Sequence, residues 1–373
     1  MPVYFDHNAT TPLDPRVLDA MLPYLRGPYG NPSSVHRYGR AARAAIEAAR
    51  AQVAALVGVQ PAQVIWTSGA TESNNLALKG LVPERLGGRL LYGASEHPSV
   101  LEAAEAQGDG AEAIALLRDG RVDVAAYQAQ LARGPVRQVA VMAANNETGV
   151  IQDCAPLAAA AHAVGAAVHI DAVQAAGKIA VDFDALGADT MSLSAHKIYG
   201  PKGVGALIVR PGVELATQLH GGGQEHGLRG GTENLPAIVG FGVAAELATQ
   251  ELAARAEQTL RLRQALEASL TGLDGVTIFA EHAPRLPNTV QFGVEGWEGE
   301  ALLMALDRAG FAVSSGSACA SGRGEPSHVL LAMGWPREIA FRAVRVSFGT
   351  GNDLAEVERF IATLAALRPS RAA

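Results

Sequence analysis

The sequence predicts an α/β fold, a large domain with a mainly parallel sheet plus a smaller α/β domain, and three patterns carry that expectation. From Val64 to Val209, short, continuously apolar runs alternate with helical runs, the pattern of parallel strands covered on both faces. Polar and charged residues cluster just after those runs, where an open α/β sheet receives its ligands. After about Arg263 a second, shorter alternation of strand and helix begins.

Taken in order, residues 3 to 12, VYFDHNATTP, read as an extended arm. Asp14-Pro15 opens a helix, with Asp as cap and Pro at its first position, that carries Val17, Leu18, Met21 and Leu22 on one face. GNPSSVHRYG, residues 30 to 39, is a turn-rich loop before an Ala-rich helix from about Arg40 to Leu56. Strands are expected at 64 to 67, 89 to 93, 112 to 117, 136 to 142, 166 to 170, 190 to 193 and 204 to 209. Helices fall at 71 to 80, 124 to 132 and 153 to 164. The glycine-dense stretch 221 to 234, GGGQEHGLRGGTEN, reads by itself as a linker, followed by one long helix from about Pro236 to beyond Leu260. Further strands are expected near 276 to 279, 288 to 293, 311 to 314 and 343 to 347, and helices near 298 to 308, 326 to 333 and 353 to 368. The resulting division is a large domain over 13 to 255 and a small one from 1 to 12 and 256 to 373.

With 373 residues and 49% hydrophobic content, the chain can bury a large core. A net charge of -7 without a long basic run argues against nucleic acid as a partner. Two cysteines, Cys154 and Cys319, cannot form a disulfide framework, so a cytoplasmic location is expected. Neither a secretory segment nor an apolar run of about 18 residues occurs, which argues against secretion and membrane insertion.

The chemistry centres on SAHKIYGPKG, residues 194 to 203. An apolar run leads into Lys197, beside Ser194 and His196, and a Gly/Pro turn follows. An ammonium so desolvated loses its proton more easily, as an amine must to condense with an aldehyde. Upstream, Asp171 closes the apolar run AAVHID, and Gly69-Ala70-Thr71 joins a strand to a helix, as anion sites do. Singly, Lys197 suits a surface charge, Asp171 a turn cap and His97 a structural histidine. Together, the lysine, the carboxylate and the anion cradle describe a pyridoxal-phosphate pocket.

In this setting the motifs from YFDHNATT through SEHPS, NNETG, DAVQ, SAHKIYGPKG, GSACAS and EPS to RVSFG resemble the cysteine desulfurases of the nitrogen-fixation and iron-sulfur-assembly type. These are fold-type I pyridoxal-phosphate transferases of the class V aminotransferase family. The resemblance implies that His97 stacks on the cofactor ring and works as acid and base, and that Asn146 and Gln174 hydrogen-bond the cofactor's phenolic oxygen or adjacent groups. It makes Asp171 the partner of the pyridine nitrogen, and Thr71, Ser194, His196 and Thr232 phosphate ligands. Thr232 would act on the cofactor of a partner subunit, so a homodimer follows. Arg345 would hold the carboxylate of L-cysteine, and Asn146 is a second substrate contact. Lys197 would remove the α-proton, and Cys319 would take the sulfur as a persulfide for an acceptor protein, releasing L-alanine. By family analogy Cys319 is also a transient iron-sulfur ligand. Cys154, at the start of a helical run, reads as inert filler. Rival readings are selenocysteine lyase, another class V aminotransferase, and a non-catalytic cofactor-binding scaffold.

Overall fold

A computed structural model describes residues 2–27, 29–81, 87–108, 110–315 and 325–367. The chain opens with β1 (Val3–Tyr4) and then α1 (Pro15–Arg26), whose first turn is capped by Asp14 accepting from the Arg16 N–H. Val17 is buried on α1, whereas Leu18, expected on the same face, is exposed. α2 spans Arg37–Leu56 and begins earlier than expected because the His36 ring accepts the Gly39 N–H and caps it there.

The middle of the chain alternates β2 (Val64–Thr67), α3 (Ala70–Gly80), β3 (Arg89–Gly93), α4 (Pro98–Glu105), β4 (Ala111–Ile114), α5 (Val124–Ala132), β5 (Val136–Met142), α6 (Cys154–Ala163), β6 (Ala167–Asp171), β7 (Thr190–Ser194) and β8 (Gly205–Val209). Among the described residues these strands make a seven-stranded sheet in the order β2-β8-β7-β6-β5-β3-β4. The pairs β3–β4, β3–β5, β5–β6 and β6–β7 are parallel, and β8 alone runs against its neighbours β7 and β2. The sheet is therefore mainly parallel, as its apolar strands require. β4 ends earlier than expected: Leu116 leaves the sheet and bridges Val122.

α7 (Leu235–Gln250) and α8 (Leu252–Thr271) replace the single long helix, with a bend of 72° between them. The reason lies in their buried faces. α7 packs against α1 and α2 and buries apolar residues on several sides, whereas α8 buries a stripe of Leu262, Leu266 and Leu270 toward a second core. At the corner, the Glu251 carboxylate accepts from Arg16 at 2.6 Å and from Arg255 at 2.7 Å, which fixes the bend. No single described helix is long and apolar enough to cross a membrane.

The rest comprises β9 (Val276–Ile278), β10 (Thr289–Val294), α9 (Gly299–Arg308), β11 (Phe311–Ala312), β12 (Ser314–Ser315), α10 (His328–Ala332), α11 (Arg337–Ala340), β13 (Ala343–Ser347) and α12 (Leu354–Leu367). β12-β13-β10-β9 form an antiparallel sheet, and β1 pairs in parallel with β11. Phe5, Phe292, Phe311, Phe348 and Phe360 pack edge-on or stacked in the core beneath it. The first residues thus join this core before the chain turns toward the large sheet.

The glycine-dense stretch is anchored by an ion pair that the sequence did not announce. Arg50 meets Glu225 through two contacts of 2.8 Å, and Glu225 also accepts the Trp66 N–H at 2.8 Å. Glu225 and His226 both hold positive φ, at 47° and 58°. Such left-handed residues cost about 1 to 3 kcal/mol each without a compensating network. Buried and saturated, the Arg50–Glu225 pair holds that strained turn onto β2.

Candidate active site

β2, β3, β5, β6 and β7 all run the same way, so the segments leaving their C-terminal ends meet at one edge of the sheet. A cavity of about 740 Å³ lies there. Ala70, Thr71, His97, Asn146, Asp171, Gln174, Ser194, His196, Lys197 and Arg345 all line it. The topology thereby brings together residues the sequence read separately. Thr232 does not line this cavity and is exposed. Cys319 lies outside the described residues, and so does its expected iron-sulfur ligation. Among the described residues no group of His, Cys, Asp or Glu converges as a metal site.

Lys197 ends a short turn directly after β7, and its Nζ donates to the carbonyls of Asn8 at 2.6 Å and Ala9 at 2.8 Å. The N-terminal arm therefore forms one wall of the cavity. Gln174 donates to the same Asn8 carbonyl at 2.9 Å. Asn8 is itself held by side-chain bonds to the Asn146 carbonyl and to Thr289, at 3.1 and 2.9 Å. Its motif alone assigns Asn8 no role, because only the fold carries it to partners so far along the chain.

Asp171 ends β6 and accepts from the Val173 N–H at 3.0 Å and from the Asn74 amide at 2.9 Å. Asn74 in turn contacts His169, whose other ring nitrogen meets Thr190. The sequence reading missed Asn74; its signal was the amide pair in ESNN, one turn into the helix that Thr71 opens. His97 caps α4, its Nδ1 accepting the Ser99 N–H at 3.1 Å, so the neutral ring carries its proton on Nε2. Burial lowers its affinity for a second proton, against the nearby Asp171 carboxylate. Burial, with Lys197 adding to it, pushes His196 down to about 4, so that ring is neutral at physiological pH.

α3 directs its first backbone N–H groups, which have no partner within the helix, toward the cavity. Gly69 lines the cavity too, and a Cβ there would meet nothing within 4 Å. β8 begins against this turn: a Cβ on Gly205 would lie 2.7 Å from the Gly69 Cα, so the close approach needs glycine. Arg345, also in the lining, donates to Asp6 at 2.6 Å and to the Asn146 carbonyl at 2.9 Å. Its Nε is buried without a partner among the described residues.

Two further residues line the cavity without having been singled out. Glu147 accepts from Gln291 and Ser327 and is pushed above the usual carboxylate range by burial. His328 donates from Nε2 to the Glu96 carbonyl at 3.0 Å, which leaves Nδ1 facing Glu147 at 4.0 Å. Their signals were two short polar motifs, NNETG for Glu147 and EPSH for His328.

The buried His169 gives a pH prediction. Burial pushes it down to about 4 from its ordinary 6.5. The unfolded chain binds a proton that the folded site refuses, so stability present above about pH 6.5 falls as pH drops toward 4. The contribution is up to about 3 kcal/mol. Urea midpoints measured from pH 7 to 4 should decline, and less steeply in His169→Asn.

The chain is 46% identical to "Cysteine desulfurase IscS" from Anaeromyxobacter sp. (strain Fw109-5), covering 97% of this chain and 91% of that one. Its structure matches a "NIFS-LIKE PROTEIN" at a TM-score of 0.91 and 38% identity, covering 98% and 99% of the two chains. It also matches "SspA in complex with cysteine" at 0.82 and 33%, covering 93% and 99%. The family described as Aminotransferase class-V matches residues 3–360, and with that match over most of its length the chain belongs to the class-V aminotransferase family.

Proposed function

We propose that this chain is a pyridoxal 5'-phosphate-dependent cysteine desulfurase, which moves sulfur from L-cysteine onto Cys319 and releases L-alanine. The observation that carries the reading is the convergence of Lys197, Asp171 and the α3 N-terminus on one cavity. The donor set suits the cofactor: an anion cradle at Gly69 with space where a side chain would stand, a carboxylate and a primary amine. When bound, pyridoxal phosphate supplies an aldehyde for amines and an electron-poor ring that accepts charge from an α-carbon.

The chain's own residues would do the rest. The Ala70 and Thr71 N–H groups, Ser194 and the neutral His196 would bind the phosphate. Asp171, oriented by Asn74, would hold a proton on the ring nitrogen. Asn146 and Gln174 would bind the phenolic oxygen or groups beside it, and His97 would cover the ring face as acid and base. Lys197 would anchor the cofactor and, once displaced by the substrate amine, take the α-proton. Arg345 would bind the substrate carboxylate from the cavity lining, with Asn146 beside it. The Cys319 thiolate then attacks the substrate sulfur. A sulfur–sulfur bond forms as the carbon–sulfur bond breaks, the electron pair left on the β-carbon takes a proton, and Lys197 returns a proton to the α-carbon to complete alanine.

The persulfide would pass to an acceptor protein. The exposure of Thr232 supports a homodimer in which it reaches the partner's cofactor. The test is direct. Purified protein reconstituted with pyridoxal phosphate should gain a visible band and, with L-cysteine and a thiol reductant, yield alanine and sulfide in equal amounts. Protein that stays colourless, or that is coloured yet makes no alanine, overturns the reading.

A further inference from the structure

Lys178 has no part in the chemistry described so far, yet it sits against that site's floor. Its Nζ donates to Gln174 Oε1 at 2.5 Å and to Asn8 Oδ1 at 3.0 Å. Gln174 Nε2 donates to the Asn8 carbonyl, the same oxygen that receives Lys197 Nζ. Lys178, Gln174 and Asn8 thus close a ring of contacts that Lys197 joins through the Asn8 carbonyl, so both lysines reach Asn8, one at its side chain and one at its backbone.

An amide has an acceptor end and a donor end, and its environment decides which way it points. With an amine on one side, Gln174 must turn its oxygen toward Lys178 and its nitrogen toward the cavity and Asn8. Nothing else among the described residues donates to that oxygen. The Asn8 side chain is fixed by the same logic: its oxygen takes Lys178 and Asn288, and its nitrogen serves Asn146 and Thr289.

We propose that Lys178 is a positioning residue, which sets the direction of the Gln174 amide and, through Asn8, the seat of the Lys197 amine. The assignment rests on the reading of the cavity as a pyridoxal-phosphate site, and it adds a residue to that site. Burial and the charges of Lys197 and Arg345 hold Lys178 well below the usual lysine range. The hydrogen bonds persist in either protonation state, because a neutral amine still donates.

The test is a double-substitution cycle with Lys178→Met, Gln174→Leu and both together. Thermal unfolding of the cofactor-free proteins checks that all four fold. Two quantities are read: the dissociation constant for pyridoxal phosphate, and the rate at which borohydride traps it on Lys197, located by peptide mapping. Lys178→Met should weaken cofactor affinity about tenfold and slow trapping by a similar factor. In the Gln174→Leu background it should do markedly less, since residues acting through one another are not additive. Lys178→Arg, which keeps the donor, should recover part of the loss. Unchanged affinity and trapping in Lys178→Met, or full additivity with Gln174→Leu, overturns the proposal while leaving the cofactor reading intact. Absence of any adduct on Lys197 in the unsubstituted protein overturns both. If Lys178→Met does not fold, the comparison of Lys178→Arg with Lys178→Gln, read by the same two quantities, decides.

Discussion

Lys197→Ala is expected to lower kcat for alanine formation by at least about 10⁴-fold, because one amine is asked for two tasks, anchoring and proton removal. The fold should tolerate the change. Lys197 gives hydrogen bonds to the Asn8 and Ala9 carbonyls, and Asn8 keeps its second donor from Gln174. The two lost bonds cost about 1 kcal/mol each, within the reserve of a large domain. Spectroscopy separates the two tasks. The substituted protein should bind pyridoxal phosphate through the α3 cradle and Asp171 but show the band of the free aldehyde. Small primary amines added to the solution should restore part of the proton removal, since truncation opens space beside those carbonyls. A kcat reduced less than tenfold in Lys197→Ala would remove Lys197 from the mechanism.

How far the sequence discloses such a site depends on how local its information is. Lys197, Asp171 and Thr71 were legible because each follows an apolar strand, and the ends of parallel strands meet by topology alone. β8 shows the limit. Its apolar run reads like the others, and only pairing reveals that it runs backward. Asn8 and Asn74 were missed for a different reason: an amide's value lies in what it touches. Asn8 reaches Thr289 and Asn288 across the chain, and no spacing rule anticipates that. The break between α7 and α8 was likewise hidden, since both halves are good helix formers and the bend at Glu251 comes from packing on two different cores. Helical periodicity also placed Leu18 inside on α1, but the neighbouring α7 covers only part of that face.

Sulfide release should fall to background in Cys319→Ser while the visible band of the bound cofactor is retained. The argument rests on nucleophilicity: a thiol near pKa 8.5 supplies thiolate at neutral pH, whereas a serine hydroxyl does not, and sulfur attack on sulfur needs the thiolate. The chain's other cysteine cannot substitute. Cys154 is buried at the start of α6, and burial pushes its thiol up to about 12, with the Glu96 and Asp153 carboxylates adding to the effect. The described chain also flanks position 319 at the cavity on both sides. Ser314, just before, pairs with Arg345, and Glu325, Pro326 and His328, just after, line the wall. Because there are only two cysteines, the experiment reads cleanly. Labelled sulfur from L-cysteine should appear on one peptide, containing residue 319, in the unsubstituted protein and in Cys154→Ser, and on none in Cys319→Ser. Sulfide formed at the normal rate by Cys319→Ser would mean that sulfur leaves without passing through a protein thiol. The site would then be a lyase acting on the cysteine side chain, with Lys197 and Asp171 unchanged in their roles and the persulfide removed from the scheme.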